Sequence, residues 1–392
     1  MIAIFIGNIA NGQWTQLTSG TTFDLNDVWF THSDTGFAVG GAFSNNLILK
    51  TSNGGNTWVN YSGFIPGDGL NSIFFINSKI GLAAGVSGRI VKTIDGGANW
   101  SGISNSGTLK TLNSIFFINS SIGFAVGYEG TIIKTINGGA NWIALTSGIL
   151  NNLNAICFAD ENKGIAVGDN GKILKTINGG STWTLVNSGI TYSLYDVQFI
   201  SSNKALTIGG YGYILQSTDY GASWSQINTN NIGSHNELSA INADTIYLVG
   251  LNGLIKKTTD ACANWATQNS GITKDLNAVC FVNSKLGFAV GDAGKILKTN
   301  NGGEVGIIET INFKSIKIYP NPANDNMFVE LIENKDFQNT SISIYDIQGK
   351  LVKQINAMQS KTKIDIHDFP VGLYVVKVNN EKEIFVSKFV KE

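Results

Sequence analysis

A short phrase recurs along this chain at an almost fixed interval, and that interval limits what the chain can fold into. Thr93-Ile-Asp-Gly-Gly-Ala-Asn-Trp100 is preceded by Thr51-Ser-Asn-Gly-Gly-Asn-Thr-Trp58. It is followed by Thr135-Ile-Asn-Gly-Gly-Ala-Asn-Trp142, Thr176-Ile-Asn-Gly-Gly-Ser-Thr-Trp183, Ser217-Thr-Asp-Tyr-Gly-Ala-Ser-Trp224 and Thr258-Thr-Asp-Ala-Cys-Ala-Asn-Trp265. A further copy, Thr299-Asn-Asn-Gly-Gly303, starts correctly and then loses its tryptophan. Trp58, Trp100, Trp142, Trp183, Trp224 and Trp265 lie 42, 42, 41, 41 and 41 residues apart. A period of roughly 40 to 50 residues with several short strands per unit is the signature of a β-propeller.

Each part of the phrase has a physical role. The Asp or Asn side chain accepts backbone N–H groups two or three residues on, folding the turn around itself. The glycine supplies positive φ, and the tryptophan is a large apolar anchor with one N–H to satisfy. Asn53, Asp95, Asn137, Asn178, Asp219, Asp260 and Asn301 are therefore expected to be structural. The unit is clearest at Leu112-Asn-Ser-Ile-Phe-Phe-Ile-Asn119, Gly123-Phe-Ala-Val-Gly127, Gly130-Thr-Ile-Ile-Lys-Thr135 and Trp142-Ile-Ala-Leu145. These are four strand-like runs punctuated by Asn, Ser and Gly. Units begin at Leu25, Leu70, Leu112, Leu153, Leu194, Leu238 and Leu276, which predicts seven blades.

The ends complement each other. The last unit stops at Gly303 without a fourth strand, while Trp14-Thr-Gln-Leu-Thr-Ser-Gly20 is a fourth strand with no phrase before it. Joining them closes the ring and hides free strand edges. The expected fold is all-β: a seven-bladed propeller over residues 12–304, closed by the N-terminal strand.

Formal charge is −1 and no basic stripe is present, so nucleic acid is not an expected partner. Cys157, Cys262 and Cys280 are too few for a disulfide scaffold. Cys157 and Cys280 hold the same repeat position three blades apart, so buried free thiols are expected. Cys262 stands where the phrase wants glycine, and that turn must carry strain or change type. No zinc spacing appears, and neither metal nor cofactor is expected. Residues 1–11 resemble the back half of a secretory signal peptide without its basic region; an N-terminal strand or a misplaced start are the alternatives. No run approaches the roughly 18 apolar residues of a membrane-spanning helix, and a monomer is expected.

Strand directions place the variable loops on the face opposite the recurrent turns, around the channel mouth. Tyr128, Glu129, Asp169, Asn170, Tyr211, Leu251 and Asp292 are expected there, with Trp29, Tyr192, Tyr195 and His235 near neighbouring loops. Exposed aromatics with scattered carboxylates suit a ligand or peptide surface; the alternative is that they pack loop against loop.

The recurrent phrase resembles the Asp-box, or BNR repeat, of sialidases and related propellers. The longer unit from Ala125 to Trp142 is similar to the Ycf48/Hcf136-like propellers, a family that contains photosystem II assembly factors. The resemblance spans about three quarters of the chain and is far more specific for fold than for function.

Residues 305–314 read as a linker. Beyond them lie Ile318-Tyr-Pro-Asn-Pro322, Ile342-Ser-Ile-Tyr-Asp-Ile-Gln-Gly-Lys350, Phe369-Pro-Val-Gly-Leu-Tyr-Val-Val-Lys377 and the end Lys388-Phe-Val-Lys-Glu392. Alternation through Ser341-Ile-Ser-Ile-Tyr345 and a turn from Asp346 to Gly349 predict a hairpin within a small Ig-like β-sandwich over residues 315–392. This segment resembles the type A C-terminal sorting domain of the type IX secretion system of Bacteroidetes. That implies periplasmic entry, outer-membrane passage with the secretion machinery as partner, and a mature protein secreted or held at the cell surface.

Two functional classes are open. The first is a non-enzymatic platform binding a protein or glycan at the loop face. The second is a glycoside hydrolase, since Asp-boxes occur in sialidases and some xyloglucanases. Sialidases hold their substrate carboxylate with three arginines, and this chain has only Arg89. A xyloglucanase-like pair needs two carboxylates about 5 to 10 Å apart; Asp169 and Asp292, three blades apart, leave that geometry open. No catalytic residue is expected on the favoured reading.

Overall fold

The computed structural model describes residues 13–42, 45–61, 67–227, 233–304, 316–331, 340–357, 359–380 and 383–392. The expected signal remnant and linker lie outside them. The chain divides into two compact units, residues 1–305 and 306–392.

Among the described residues the first unit contains seven four-stranded antiparallel sheets. Sheet 1 runs through Leu25–Phe30, Gly36–Ala42, Asn45–Thr51 and Val59–Asn60. The inner strands of sheets 2 to 7 are Leu70–Phe75, Leu112–Phe117, Leu153–Phe158, Leu194–Phe199, His235–Ala240 and Leu276–Phe281. Sheet 6 thus begins at His235, three residues before the Leu238 expected from sequence. Its His235–Gly250 pairing matches Leu25–Gly40 in sheet 1. The shift escaped notice because a histidine replaces the apolar residue that opens every other unit.

The seventh sheet takes its outer strand, Thr15–Leu17, from the start of the chain, where Thr15 pairs with Lys298 and Leu17 with Ile296. Trp14 is buried, sets its indole edge-on to Phe281 at 5.7 Å and donates from Nε1 to Gln268 Oε1 at 2.8 Å. Neighbouring sheets share their apolar faces. Leu25, Val28 and Leu49 of sheet 1 pack with Phe288, Val290 and Ile296 of sheet 7.

The recurrent turn follows one hydrogen-bond scheme. In sheet 2 the Asp95 carboxylate accepts from Thr93 Oγ1 at 2.8 Å and from the Asn99 N–H at 2.9 Å, while Thr93 Oγ1 accepts the Gly97 N–H at 2.9 Å. Asn53, Asn137, Asn178, Asp219 and Asp260 likewise take the N–H four residues on, and Asp219 also takes the expected one three residues on, from Ala222 at 2.9 Å. Asn301 accepts from Thr299 Oγ1. Bonds to the Asn99 N–H and amide hold Asp95 down at about 2, and Ser223 does the same for Asp219. The turn needs two consecutive left-handed residues, as at Gly54 and Gly55. Ala261 and Cys262 keep that conformation at φ 56° and 76°, so the sixth turn accepts strain rather than changing type.

Four of the tryptophans that end a turn stand edge-on to the phenylalanine closing an inner strand: Trp58 on Phe30, Trp100 on Phe75, Trp142 on Phe117 and Trp183 on Phe158, all at about 6 Å between centroids. The indole N–H of these four, and of Trp224 and Trp265, is buried without a partner among the described residues, whereas that of Trp14 has one. The expected satisfied N–H is thus absent at six positions; at Trp58, Trp100, Trp142 and Trp183 the edge-on aromatic contact sets the ring plane.

In the second unit, Ile316–Tyr319, Asn326–Leu331 and Lys361–Asp365 form one sheet, and Leu351–Asn356, Ser341–Tyr345, Gly372–Asn380 and Glu383–Lys391 another. Met327, Val329 and Ile364 of one pack with Ile342, Val376 and Phe389 of the other. The predicted hairpin is present: Asp346 Oδ1 accepts the Lys350 N–H at 2.9 Å, and Gly349 supplies the positive φ. Asn321 of the Tyr-Pro-Asn-Pro run accepts the Val390 N–H at 2.9 Å, tying this landmark to the final strand.

Trp14→Ala removes a buried indole and the bond to Gln268, and should lower stability by about 3–5 kcal/mol, read by urea unfolding of the full chain.

Candidate functional site

Short 3-10 turns link the second and third strands of sheets 2 to 7, at Val86–Gly88, Tyr128–Gly130, Asp169–Gly171, Gly210–Gly212, Leu251–Gly253 and Asp292–Gly294. Their central residues, Ser87, Glu129, Asn170, Tyr211, Asn252 and Ala293, are all left-handed, with φ between 53° and 58°. The closing glycine is dictated by crowding: a Cβ on Gly130 would lie 2.1 Å from the Ile149 carbonyl oxygen. That contact also places these turns beside the loops leaving the outer strands.

The residues expected at this face meet different fates. Tyr192 lies 4.6 Å from Tyr211 and stacks on Tyr213 at 5.0 Å. Tyr211 is 70% exposed, and Tyr192 and Tyr195 remain more than a third exposed. Tyr128 is half exposed, and Glu129 pairs with Lys110 at 2.7 Å beside the exposed Leu109 and Leu150. Glu129 also borders a groove of about 510 Å³ with Thr108, Ile132 and Leu150. Asp169 accepts from Asn152 and Asn154 at 3.0 and 3.1 Å, and Asp292 from Asn277 at 3.0 Å. Asn170 supplies the left-handed backbone of its turn.

Two residues are not where expected. Trp29 lies late in its inner strand, packed 4.7 Å from Phe74 and against the core between sheets 1 and 2, because its inner strand carries it away from the loop end. His235 is fully buried, because it takes the core position held elsewhere by leucine.

The axis holds groups that sequence reading missed. In each inner strand the register slips after the first residue, leaving the second residue in a bulge. That residue is an asparagine in every sheet but the fifth. Its Nδ2 donates to the first carbonyl of the next inner strand: Asn26 to Leu70, Asn71 to Leu112, Asn113 to Leu153, Asn154 to Leu194, Asn236 to Leu276 and Asn277 to Leu25, at 2.8–3.1 Å. The third residue is acidic in sheets 1, 5 and 6. Asp27 accepts the Ile73 N–H at 2.7 Å, Asp196 the Leu238 N–H at 3.0 Å and Glu237 the Val279 N–H at 2.8 Å.

Burial drives Asp27 up to about 7 and Asp196 to about 6; it drives Glu237 well above the ordinary carboxylate range, with the charges of Asp27 and Asp196 adding to the rise. Aligned units carry the signal: Ser72, Ser114, Ala155 and Ala278 stand where these acids do. Among the described residues no cluster of His, Cys, Asp and Glu suits a metal ion. All three cysteines are free, and burial pushes Cys262 to about 11 and Cys280 to about 12.

Residues 6–110 and 140–273 match the family described as photosynthesis system II assembly factor YCF48. The chain belongs to that family. Residues 317–392 match the secretion system C-terminal sorting domain. This Ycf48-like β-propeller therefore carries a type IX sorting tail and is bound for the cell surface or the medium. No curated protein matches the sequence. Among solved structures, YCF48 bound to a D1 peptide is 21% identical, with TM-score 0.63 over 74% of this chain and 97% of that one. YCF48 from Cyanidioschyzon merolae is 18% identical, with TM-score 0.58 over 73% and 98%. PorZ, a surface component of the type IX secretion system of Porphyromonas gingivalis, is 13% identical, with TM-score 0.57 over 94% of this chain and 59% of its own length. At these identities the likeness shows the fold. No helix among the described residues is long and apolar enough to cross a membrane.

The axial acids make stability depend on pH. Their folded pKa values lie above the unfolded ones, so the folded state binds more protons between about pH 4 and 7. Stability is full at the acid end of that window and falls as pH rises through it. Asp27→Asn should shrink the stability difference between pH 5 and pH 8 by on the order of 2 kcal/mol, measured by urea unfolding at both values.

Proposed function

We propose that the first unit is a closed seven-bladed propeller acting as a non-enzymatic, monomeric binding module, with a protein or glycan engaged at its loop face. The observation that carries this reading is the cluster of Tyr192, Tyr211 and Tyr213 on that face, joined by exposed Tyr128, Leu109 and Leu150. Aromatic rings left in water next to polar loops favour contact with a partner. A related propeller bound to a peptide adds support for a peptide or protein ligand. The photosystem role of that family is not carried over, because the sorting tail points to export.

In this reading the second unit is an Ig-like sandwich that the secretion machinery recognises and removes. Truncation after Lys314 should leave the protein inside the cell, visible by fractionation and immunoblot; equal export of the truncated form would refute the assignment of the route.

Glycoside hydrolysis is the less supported alternative. Its candidate carboxylates Asp169 and Asp292 are each held by asparagine amides of their own sheets, which suits a structural role. A glycan array and a mild-salt pull-down with the secreted protein test the binding reading. Tyr192→Ala with Tyr211→Ala should weaken capture at least tenfold while secretion is unchanged. Release of reducing sugar from a glycan panel, lost in Asp169→Asn or Asp292→Asn, would replace the binding reading with catalysis.

A further inference from the structure

The seams between neighbouring sheets use three recurring devices, and one seam lacks all of them. The first is the asparagine strap from each inner strand to the next; at the step from sheet 5 to sheet 6, Tyr195 stands in its place, and its hydroxyl makes no hydrogen bond among the described residues. The second is a lysine whose Nζ donates to a turn carbonyl of the following sheet: Lys50 to Gly96, Lys92 to Gly138, Lys134 to Gly179, Lys257 to Gly302 and Lys298 to Gly54, at 2.7–3.3 Å. Lys175 makes no such bond, and in sheet 5 the position is Gln216, which also makes none.

The third device is the aromatic ring that ends each inner strand and fills the seam behind it. Phe30 stacks on Phe288 at 3.8 Å, Phe75 on Phe37 at 4.3 Å, Phe158 on Phe124 at 4.4 Å and Phe281 on Tyr247 at 3.7 Å. Phe117 and Phe199 hold the same place in sheets 3 and 5. In sheet 6 the residue is Ala240, facing a core of Leu206, Ile208 and Ile214.

The same seam carries a further defect. Two positions that are leucine, isoleucine or valine in the other sheets are here His235 and Lys256, 0% and 2% exposed. Both imidazole nitrogens and the lysine Nζ are buried with no hydrogen-bond partner among the described residues, a costly arrangement for polar groups. Burial lowers His235 to about 4 and also lowers Lys256. What still crosses the seam is the Leu238 N–H to Asp196 at 3.0 Å, the Ala240 N–H to Gln198 at 3.0 Å and the Tyr211 N–H to Ser234 Oγ at 3.4 Å.

We propose that the seam between the fifth and sixth sheets is where this propeller opens, rather than the sheet in which the chain's first strand pairs with its last turn-forming unit. That sheet keeps every device: Asn277 and Lys298 strap it to sheet 1, Phe30 fills the seam, and Trp14 locks the borrowed strand. Opening between sheets 5 and 6 separates Tyr211 from Ser234, so the tyrosine cluster on sheet 5 is coupled to the event. Cooperative local opening of this kind is read by native-state hydrogen exchange.

The experiment compares equivalent amides in the full chain. Leu238 and Ala240 report the seam between sheets 5 and 6; Ile73, Ile115, Val279 and Phe281 bond to side chains of the preceding sheet in the same way elsewhere. At neutral pH the first pair should exchange at least tenfold faster than the others. His235→Leu with Lys256→Leu, or the exposed change Tyr195→Asn if the double variant fails to fold, should slow them at least threefold. Equal protection at all six amides in the wild-type chain would overturn the proposal. So would a rate at Leu238 and Ala240 that the seam-filling variants leave unchanged.

Discussion

Every sheet in the first unit has one strand whose outer edge meets no fifth strand. Such an edge presents N–H and C=O groups that are costly to bury unpaired. The inner strands settle this by reaching sideways. In every sheet but the fifth a bulge after the first residue turns an asparagine towards the next sheet's leading carbonyl, and in sheets 1, 2, 5 and 6 the following residue's carboxylate or hydroxyl takes an N–H three positions further on. The edge is thereby closed by side chains instead of by another strand, and every sheet but the fifth is strapped to its successor by the same act. The outer edge needs no such device, because it faces solvent.

This arrangement explains why the axis is polar while the spaces between sheets are apolar. Asp27, Asp196 and Glu237 sit partly shielded from water because the backbone donors they serve are there. Their raised pKa values follow from burial, and their charges oppose one another because three separate strands bring them towards one axis. The recurrent turns solve the opposite problem: they are exposed, and their carboxylates are stabilised by many N–H and hydroxyl donors. One residue type thus behaves as a weak acid at the axis and as a strong one at the rim.

The loop face depends on a different use of the backbone. A left-handed residue in each 3-10 turn throws its side chain outward, and which residue stands there sets the local character of the face. Tyr211 contributes a ring to a stack with Tyr192 and Tyr213; Glu129 contributes a charge that Lys110 answers; Ala293 contributes nothing but shape. The face is therefore uneven around its circumference. Its aromatic sector belongs to sheet 5, whose inner strand also lacks the asparagine strap.

Much of this was legible in the chain itself. The period of the Trp58-to-Trp265 series, the strand-length runs between glycines and the complementary ends at Trp14 and Gly303 are local patterns, and local patterns survive being read one residue at a time. The landmarks of the sorting tail are of the same kind. What the tertiary structure alone decided is what meets across the molecule. Asp27 and Glu237 are far apart in sequence and influence each other only because the sheets turn about an axis. Trp29 looked like a loop residue until its place along the inner strand was set. His235 was expected near the loop face, yet it and Lys256 are buried because the repeat forces its geometry on whatever residues occupy it. Periodicity dictates the backbone; the closing of that backbone upon itself dictates which side chains lose water and which keep it.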